Sequence, residues 1–494
     1  MVALLGNLAV IALSAVLLLV PAALVADAVC SGDGADDGGG DGGGDGGGDV
    51  GEAHDRLLWL ALWAAGGPQS LAFALFVLGG PHVSNGTVGA ASLICGALAL
   101  ALVARRTGLG PLDALRGALS RCWRAARRAR GPLTVALAVA LVYLLRYDES
   151  LGDASCLHLA TWNAIAPTPA AGNHLFDAVL AADLLRDNVQ DARLGNVGVL
   201  AGWLGLFFQL GPRLLFATVG GMIALGAWGL GWRIGGRRAW GYAAVVLLAL
   251  QPWVLSLPRL DENLLTLAFS TPLLALALRS DRVQEPGRRW LAIGAALGLV
   301  LTLRHVLILA APAFAWLAWS AAPPAAGRAF DSVARRSGTL ARLAVGVAVT
   351  TAVEHLHHAL ALGSVLRFES NPQWPTYPYR IAGLDFSWQG MLGWPFVEAP
   401  IRTPFNPFPT ALQWPLWLLD HFGTVLAVVI AIGAVTVWAR SRRVAIALAL
   451  WLLPAWLALS VQEAWDYENK QGIALCLFAG LLAWLLYGLR TVVE

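Results

Sequence analysis

The sequence predicts an all-α, polytopic integral membrane protein, and three observations carry that expectation. Of 494 residues, 57% are hydrophobic and only 13% charged, too little polar surface for a soluble chain of this size. The apolar residues come in blocks, giving about 13 transmembrane helices when each block is counted. Arginines collect in alternate gaps between the blocks, as inner loops do in a multi-pass protein. The net charge of +3 says little about partners; its distribution says more. The five cysteines are scattered without CxxC spacing, so neither a metal knuckle nor a disulfide framework is implied.

The first apolar block, at 3–25, has no basic flank before it and reads as a retained helix within residues 1–30. Residues 31–56 follow as a tether rich in Gly and Asp. Such a composition cannot bury apolar surface, so disorder is expected. Residues 57–104 hold two further spans, at 57–78 and 88–103, the first interrupted by Gly66-Gly67-Pro68. A re-entrant segment at that break would put the N-terminus on the other side of the membrane, and the sequence leaves both arrangements open. Residues 105–131 carry eight arginines and no lysine, with Arg121, Arg124 and Arg128 at helical spacing. An amphipathic helix on the cytoplasmic membrane face is expected there. The flanking spans argue against nucleic acid as its partner.

With that loop inside, the span at 133–145 runs outward and ends in Arg146-Tyr147-Asp148-Glu149-Ser150. Acids at the mouth of a membrane cavity are costly unless they have a partner or a task. An outer loop, 146–213, follows. Within it, 176–194 reads as a helix, and 197–210 as an apolar helix lying in or dipping into the outer interface. Spans at 214–232, 239–257, 264–278, 291–303, 306–319, 343–362, 414–438, 445–459 and 473–489 then alternate in direction. A second large outer loop, 363–413, is rich in Pro, Trp and Tyr. Outer turns carry Arg259-Leu260-Asp261-Glu262, Arg304-His305 and the single lysine, Lys470, among 34 basic residues. His355, His357 and His358 do not all share one helix face, which argues against a metal site on them.

From 132 to 490 the order of these features resembles the GT-C superfamily of membrane glycosyltransferases, which includes the protein O-mannosyltransferases and the aminoarabinose transferase of lipid A. Four stretches carry the resemblance. They are Tyr147-Asp148-Glu149 at the end of the first core helix and the run from Leu204 to Gly211-Pro212-Arg213 before the next span. The others are the basic turn 233–238 and Gln251-Pro252-Trp253 before the acidic turn at 259–262. The His-Pro-Pro motif of the O-mannosyltransferases is absent, since His174 is followed by Leu175 and Phe176. That departure leaves the acceptor open.

The resemblance implies a polyprenyl-phosphate-sugar-dependent glycosyltransferase in the cytoplasmic (inner) membrane, acting on an extracytoplasmic lipid, glycan or protein acceptor. Inverting transfer needs a carboxylate to take the acceptor's proton, and Asp148 is the candidate base, with Glu149 orienting the acceptor or a metal. Asp261 and Glu262 are candidates to complete such a site. The leaving lipid phosphate needs positive charge, for which Arg213, Arg304, His305 and Lys470 are the candidates. Some family members hold a divalent metal ion near the acid and others do not. The partners implied are the lipid-linked donor, the acceptor and membrane lipids, and not nucleic acid. The rival readings are a flippase or transporter of lipid-linked sugars and an O-antigen polymerase or ligase. A transporter should show inverted repeats and mid-membrane polar residues; here polar residues gather at the outer ends of the spans.

Overall fold

The computed structural model describes residues 2–30, 47–77, 83–147, 194–207, 210–249, 251, 254, 262–279, 286–303, 305–321, 329–362, 407–461 and 477–494. Among these residues all regular structure is helical. The N-terminal helices are α1 (Val2–Cys30), α2 (Gly47–Val77), α3 (Asn85–Thr107), α4 (Pro111–Arg128) and α5 (Arg130–Arg146). Then come α6 (Leu194–Phe207), α7 (Gly211–Gly235), α8 (Arg238–Leu248), α9 (Glu262–Arg279) and α10 (Pro286–Leu303). A 3₁₀ segment (His305–Ala310) leads into α11 (Ala311–Ala321), followed by α12 (Ala329–Leu362), α13 (Pro407–Arg440), α14 (Arg442–Val461) and α15 (Phe478–Val493).

The chain is an all-α, multi-pass membrane protein. Among the described residues, six helical stretches are long and apolar enough to cross a bilayer: Ile11–Cys30, Val50–Phe76, Asn85–Thr107, Gly211–Gly235, Val333–Leu356 and Gly423–Arg440. The pair α4 and α5, bent by 82°, would add a seventh if it were one span. Parts of the apolar blocks at 239–257, 264–278, 306–319 and 473–489 appear among the described residues as the shorter helices Arg238–Leu248, Asn263–Leu278, Leu307–Ala321 and Phe478–Val493.

The break expected at Gly66-Gly67-Pro68 does not occur; α2 runs through it without interruption. Proline removes one backbone donor and so strands the carbonyl four residues earlier, which in lipid must find another partner. That carbonyl is Ala64 O, and the Gln69 side-chain amide donates to it at 2.9 Å. The next carbonyl, Ala65 O, accepts from the Trp203 indole of α6, also at 2.9 Å. The local sequence carries the first of these repairs one residue after the proline.

Two further expectations change. Residues 47–56, read as the end of the tether, form the opening turns of α2, and Ala53 to Leu58 are buried. Their charged side chains have partners, described below, that a solvated tether would lack. Residues 31–46 lie outside the described residues. Of the two placements read for the apolar segment 197–210, lying flat in the interface is excluded, because Val199, Ala201 and Leu206 of α6 are fully buried. Helix α6 runs antiparallel to α2, with Gly198 against Phe73 and Gly202 against Gln69. Ser14 of α1 donates to Leu206 O at 3.1 Å. One apolar core thus takes in Leu58 and Phe73 of α2, Trp203 of α6, Trp228 of α7 and Phe269 of α9.

Small residues set the closest helix contacts, as packing in lipid favours. Gly294 and Gly298 of α10 lie against Leu343, Val347 and Thr350 of α12, and Gly346 of α12 lies against Leu291. A Cβ on Gly294 would overlap the Leu343 backbone oxygen, which has nowhere to retreat. Gly294→Val is therefore expected to cost at least about 1–3 kcal/mol by overpacking. The measurement is the thermal midpoint of the detergent-solubilised protein; an unchanged midpoint would contradict this packing. At the C-terminus, α13 bends at Gly423, whose φ of +69° is the left-handed conformation glycine adopts freely. Its far end meets that of α15, where Glu494 accepts from Arg490 at 2.8 Å and from Arg440 at 3.4 Å. The Arg490 hydrogen bond, foremost, holds the Glu494 carboxyl below the usual carboxylate range.

Candidate functional site

The helix ends sort into two groups. At one end stand the C-termini of α1, α3 and α7, the N-termini of α2, α8 and α10, and the whole of α4. This is the arginine end. Asp27, near the end of α1, is fully buried and lies between two guanidiniums. Arg56 of α2 pairs with one of its oxygens. Arg121 of α4 grips it with both, Nε at 2.7 Å and NH2 at 2.8 Å. Arg56 also reaches Glu52 at 3.2 Å. The planar guanidinium fork matches a carboxylate in this two-point geometry.

A second network lies alongside. Asp55 of α2 is 1% exposed and pairs with Arg233 at the end of α7 and, at 2.7 Å, with Arg289 at the start of α10. Arg289 additionally donates to Leu276 O of α9 at 3.3 Å. His54 completes the cluster: its Nε2 lies 3.0 Å from Leu225 O, and its ring packs on Trp228 at 4.8 Å between centroids. Gly229 leaves room for that imidazole, since a Cβ there would lie 2.6 Å from it. Buried carboxylates survive in apolar surroundings only when paired in this way. Three consecutive residues, His54, Asp55 and Arg56, thus fasten α2 to α1, α7 and α10, and Asp27 fastens α4 to α1. The sequence reading missed the three consecutive residues by assigning them to the tether. The available signal was the placement of Asp27 and Asp55 beside apolar blocks that also face the arginines.

The opposite end holds the C-terminus of α5 and Arg213 of α7. Here α5 finishes against the first turns of α7: the Tyr143 and Tyr147 rings lie 5.2 and 5.4 Å from Phe216. Gly220 allows this approach, because a Cβ there would press on the Tyr143 ring. Tyr143 also donates to Ala249 O, beyond the end of α8, at 3.2 Å. Arg213 is exposed in the first turn of α7, one helical turn before Phe216. Tyr147, the residue before Asp148 in sequence, thus packs on a ring one helical turn along α7 from Arg213. Of the other candidates, Asp148, Glu149, Asp261, Arg304 and Lys470 lie outside the described residues. Glu262 opens α9 and His305 opens the 3₁₀ segment, and their side chains lie outside too. The same holds for the expected helix at 176–194 and for most of the loop 363–413. Among the described residues, no three His, Cys, Asp or Glu side chains are grouped as a metal site requires.

No protein-family model matches the chain, and neither a curated protein nor a solved structure matches it.

Proposed function

We propose that the protein is a GT-C-type membrane glycosyltransferase with about 13 membrane segments, as the apolar blocks of the sequence suggest. It transfers a sugar from a polyprenyl-phosphate donor to an acceptor at the end of the bundle opposite the arginines. By the positive-inside rule, that end faces the extracytoplasmic side. The observation that supports the reading best is the packing of Tyr147 on Phe216 at 5.4 Å. It brings the residue before Asp148 to within one helical turn of Arg213. A base and a cation for the leaving phosphate are the two groups the reaction needs close together.

In this reading Asp148 takes the acceptor proton and Glu149 orients the acceptor or a divalent metal ion. Asp261 and Glu262 complete the site. Arg213, Arg304, His305 and Lys470 share the charge of the departing lipid phosphate. Inverting transfer leaves polyprenyl phosphate as the second product. The arginine end then serves to hold the frame, since its acids are already engaged by buried guanidiniums.

The test is turnover of labelled polyprenyl-phosphate hexoses by the purified protein in liposomes, with cell-envelope glycans as acceptors. Release of polyprenyl phosphate with sugar in the acceptor fraction is the expected result. An intact donor that crosses the bilayer instead would replace this reading with the transporter. An intact donor that stays where it was added would remove both.

A further inference from the structure

We propose that the elbow between α4 and α5 is a binding site for the phosphate headgroup of an anionic membrane lipid. A cavity of about 560 Å³ opens there, lined by Val50, Arg127, Arg128, Arg130, Gly131, Pro132, Arg238 and Tyr242. Four of those eight residues are arginines and none is acidic. The volume falls within the range of small-molecule sites, ample for a headgroup.

The fold explains why the charges converge. The bend of 82° at Ala129 turns the chain from α4 into α5 and places Arg127, Arg128 and Arg130 around one corner. Arg238 arrives from the first turn of α8, and Tyr242 one turn later, where its hydroxyl sits against Gly131. Arg127 is held over the exposed Trp123 ring at 5.0 Å, an arrangement that keeps its guanidinium near the surface. Arg130 and Arg238 have no ion-pair partner among the described residues. These guanidiniums differ from Arg56, Arg121, Arg233 and Arg289 of the same end, which are engaged by Asp27 and Asp55.

The surface below the cavity favours a lipid over a free anion. On α5, Arg130, Thr134, Leu137, Leu141 and Leu145 fall on one helical stripe and all are exposed. The leucines are 63%, 54% and 77% exposed, an apolar track that begins beneath the guanidiniums. On α8, Val246 continues the apolar surface below Tyr242 in the same way. A phosphodiester in the cavity would carry its acyl chains down this track. A free phosphate would use the arginines and leave the leucines to bulk lipid. Basic pockets beside membrane helices suit anionic headgroups for this reason. This site lies at the end away from Tyr147 and does not depend on the transferase reading.

The experiment uses the full chain, purified and reconstituted into nanodiscs of phosphatidylcholine doped with a fluorescent phosphatidylglycerol. Quenching of Trp123 and its neighbours by the labelled lipid reports occupancy, and thermal unfolding with added lipid gives an independent readout. The double variant R130Q/R238Q should bind phosphatidylglycerol about thirtyfold more weakly, from roughly 1 kcal/mol for each basic residue. The control R116Q/R124Q removes the same charge from exposed positions of α4 outside the cavity and should bind as the wild type does. Equal loss in both variants would mean diffuse surface attraction and overturn the site. Protection by inorganic phosphate equal to that by phosphatidylglycerol would overturn the lipid assignment. So would a wild type that binds phosphatidylcholine as well as it binds phosphatidylglycerol.

Discussion

Asp55→Asn is expected to be the most destabilising single substitution at the arginine end. The change removes one negative charge and leaves Arg233 and Arg289 facing each other with their side chains 9% and 4% exposed. Removing one partner of a buried ion pair costs about 3–5 kcal/mol, because the remaining charge stays desolvated. Here two cations lose their common partner, so the upper part of that range applies. That is a large share of the roughly 5–15 kcal/mol that separates folded from unfolded states. Arg289→Met should cost less, since Asp55 keeps Arg233 and only one guanidinium is lost. The thermal midpoint of the detergent-solubilised protein measures both. Equal stability of Asp55→Asn and the wild type would mean that the network contributes nothing. A smaller loss for Asp55→Asn than for Arg289→Met would mean that Asp55 is not its centre.

The second large effect concerns chemistry rather than folding. If Asp148 is the base of the transfer, Asp148→Asn should lower turnover about 10²- to 10⁴-fold, the range general base catalysis contributes. Asparagine nearly preserves shape and can still accept a hydrogen bond, so the stability should stay within about 0.5 kcal/mol of wild type. Donor binding should persist, since the cations of the site are untouched. Turnover above one tenth of wild type at equal protein level would remove Asp148 from the role and turn attention to Asp261 and Glu262. The contrast between the two aspartates is informative: one should lose the fold, the other only the reaction.

Much of the helical frame was legible because apolar length and charge placement are one-dimensional properties. The span read at 133–145 appears as Arg130–Arg146, and that at 214–232 as Gly211–Gly235. The helix read in 105–131 appears as Pro111–Arg128, with Ala114, Ala118, Cys122 and Ala125 buried on one stripe. The reading failed where a local rule was overruled by a neighbour. Gly66-Gly67-Pro68 looks like a break, yet the Gln69 amide takes up the carbonyl that Pro68 abandons. Residues 47–56 look like the end of a flexible linker, yet Asp55 and Arg56 are locked by partners 29 to 234 residues away.

The candidate site divides in the same way. Sequence alone determined that acids follow the 133–145 helix and that arginines crowd the gap before it, because hydropathy and charge sign need no partner to be read. Only the tertiary structure decided which arginines are already neutralised. Arg121, Arg56, Arg233 and Arg289 close on Asp27 and Asp55, whereas Arg130 and Arg238 open onto a cavity. The physical reason is that a charge acquires its meaning from burial and from what lies within a few ångströms of it. Helical periodicity fixes the face on which a residue sits, and packing alone fixes what that face meets.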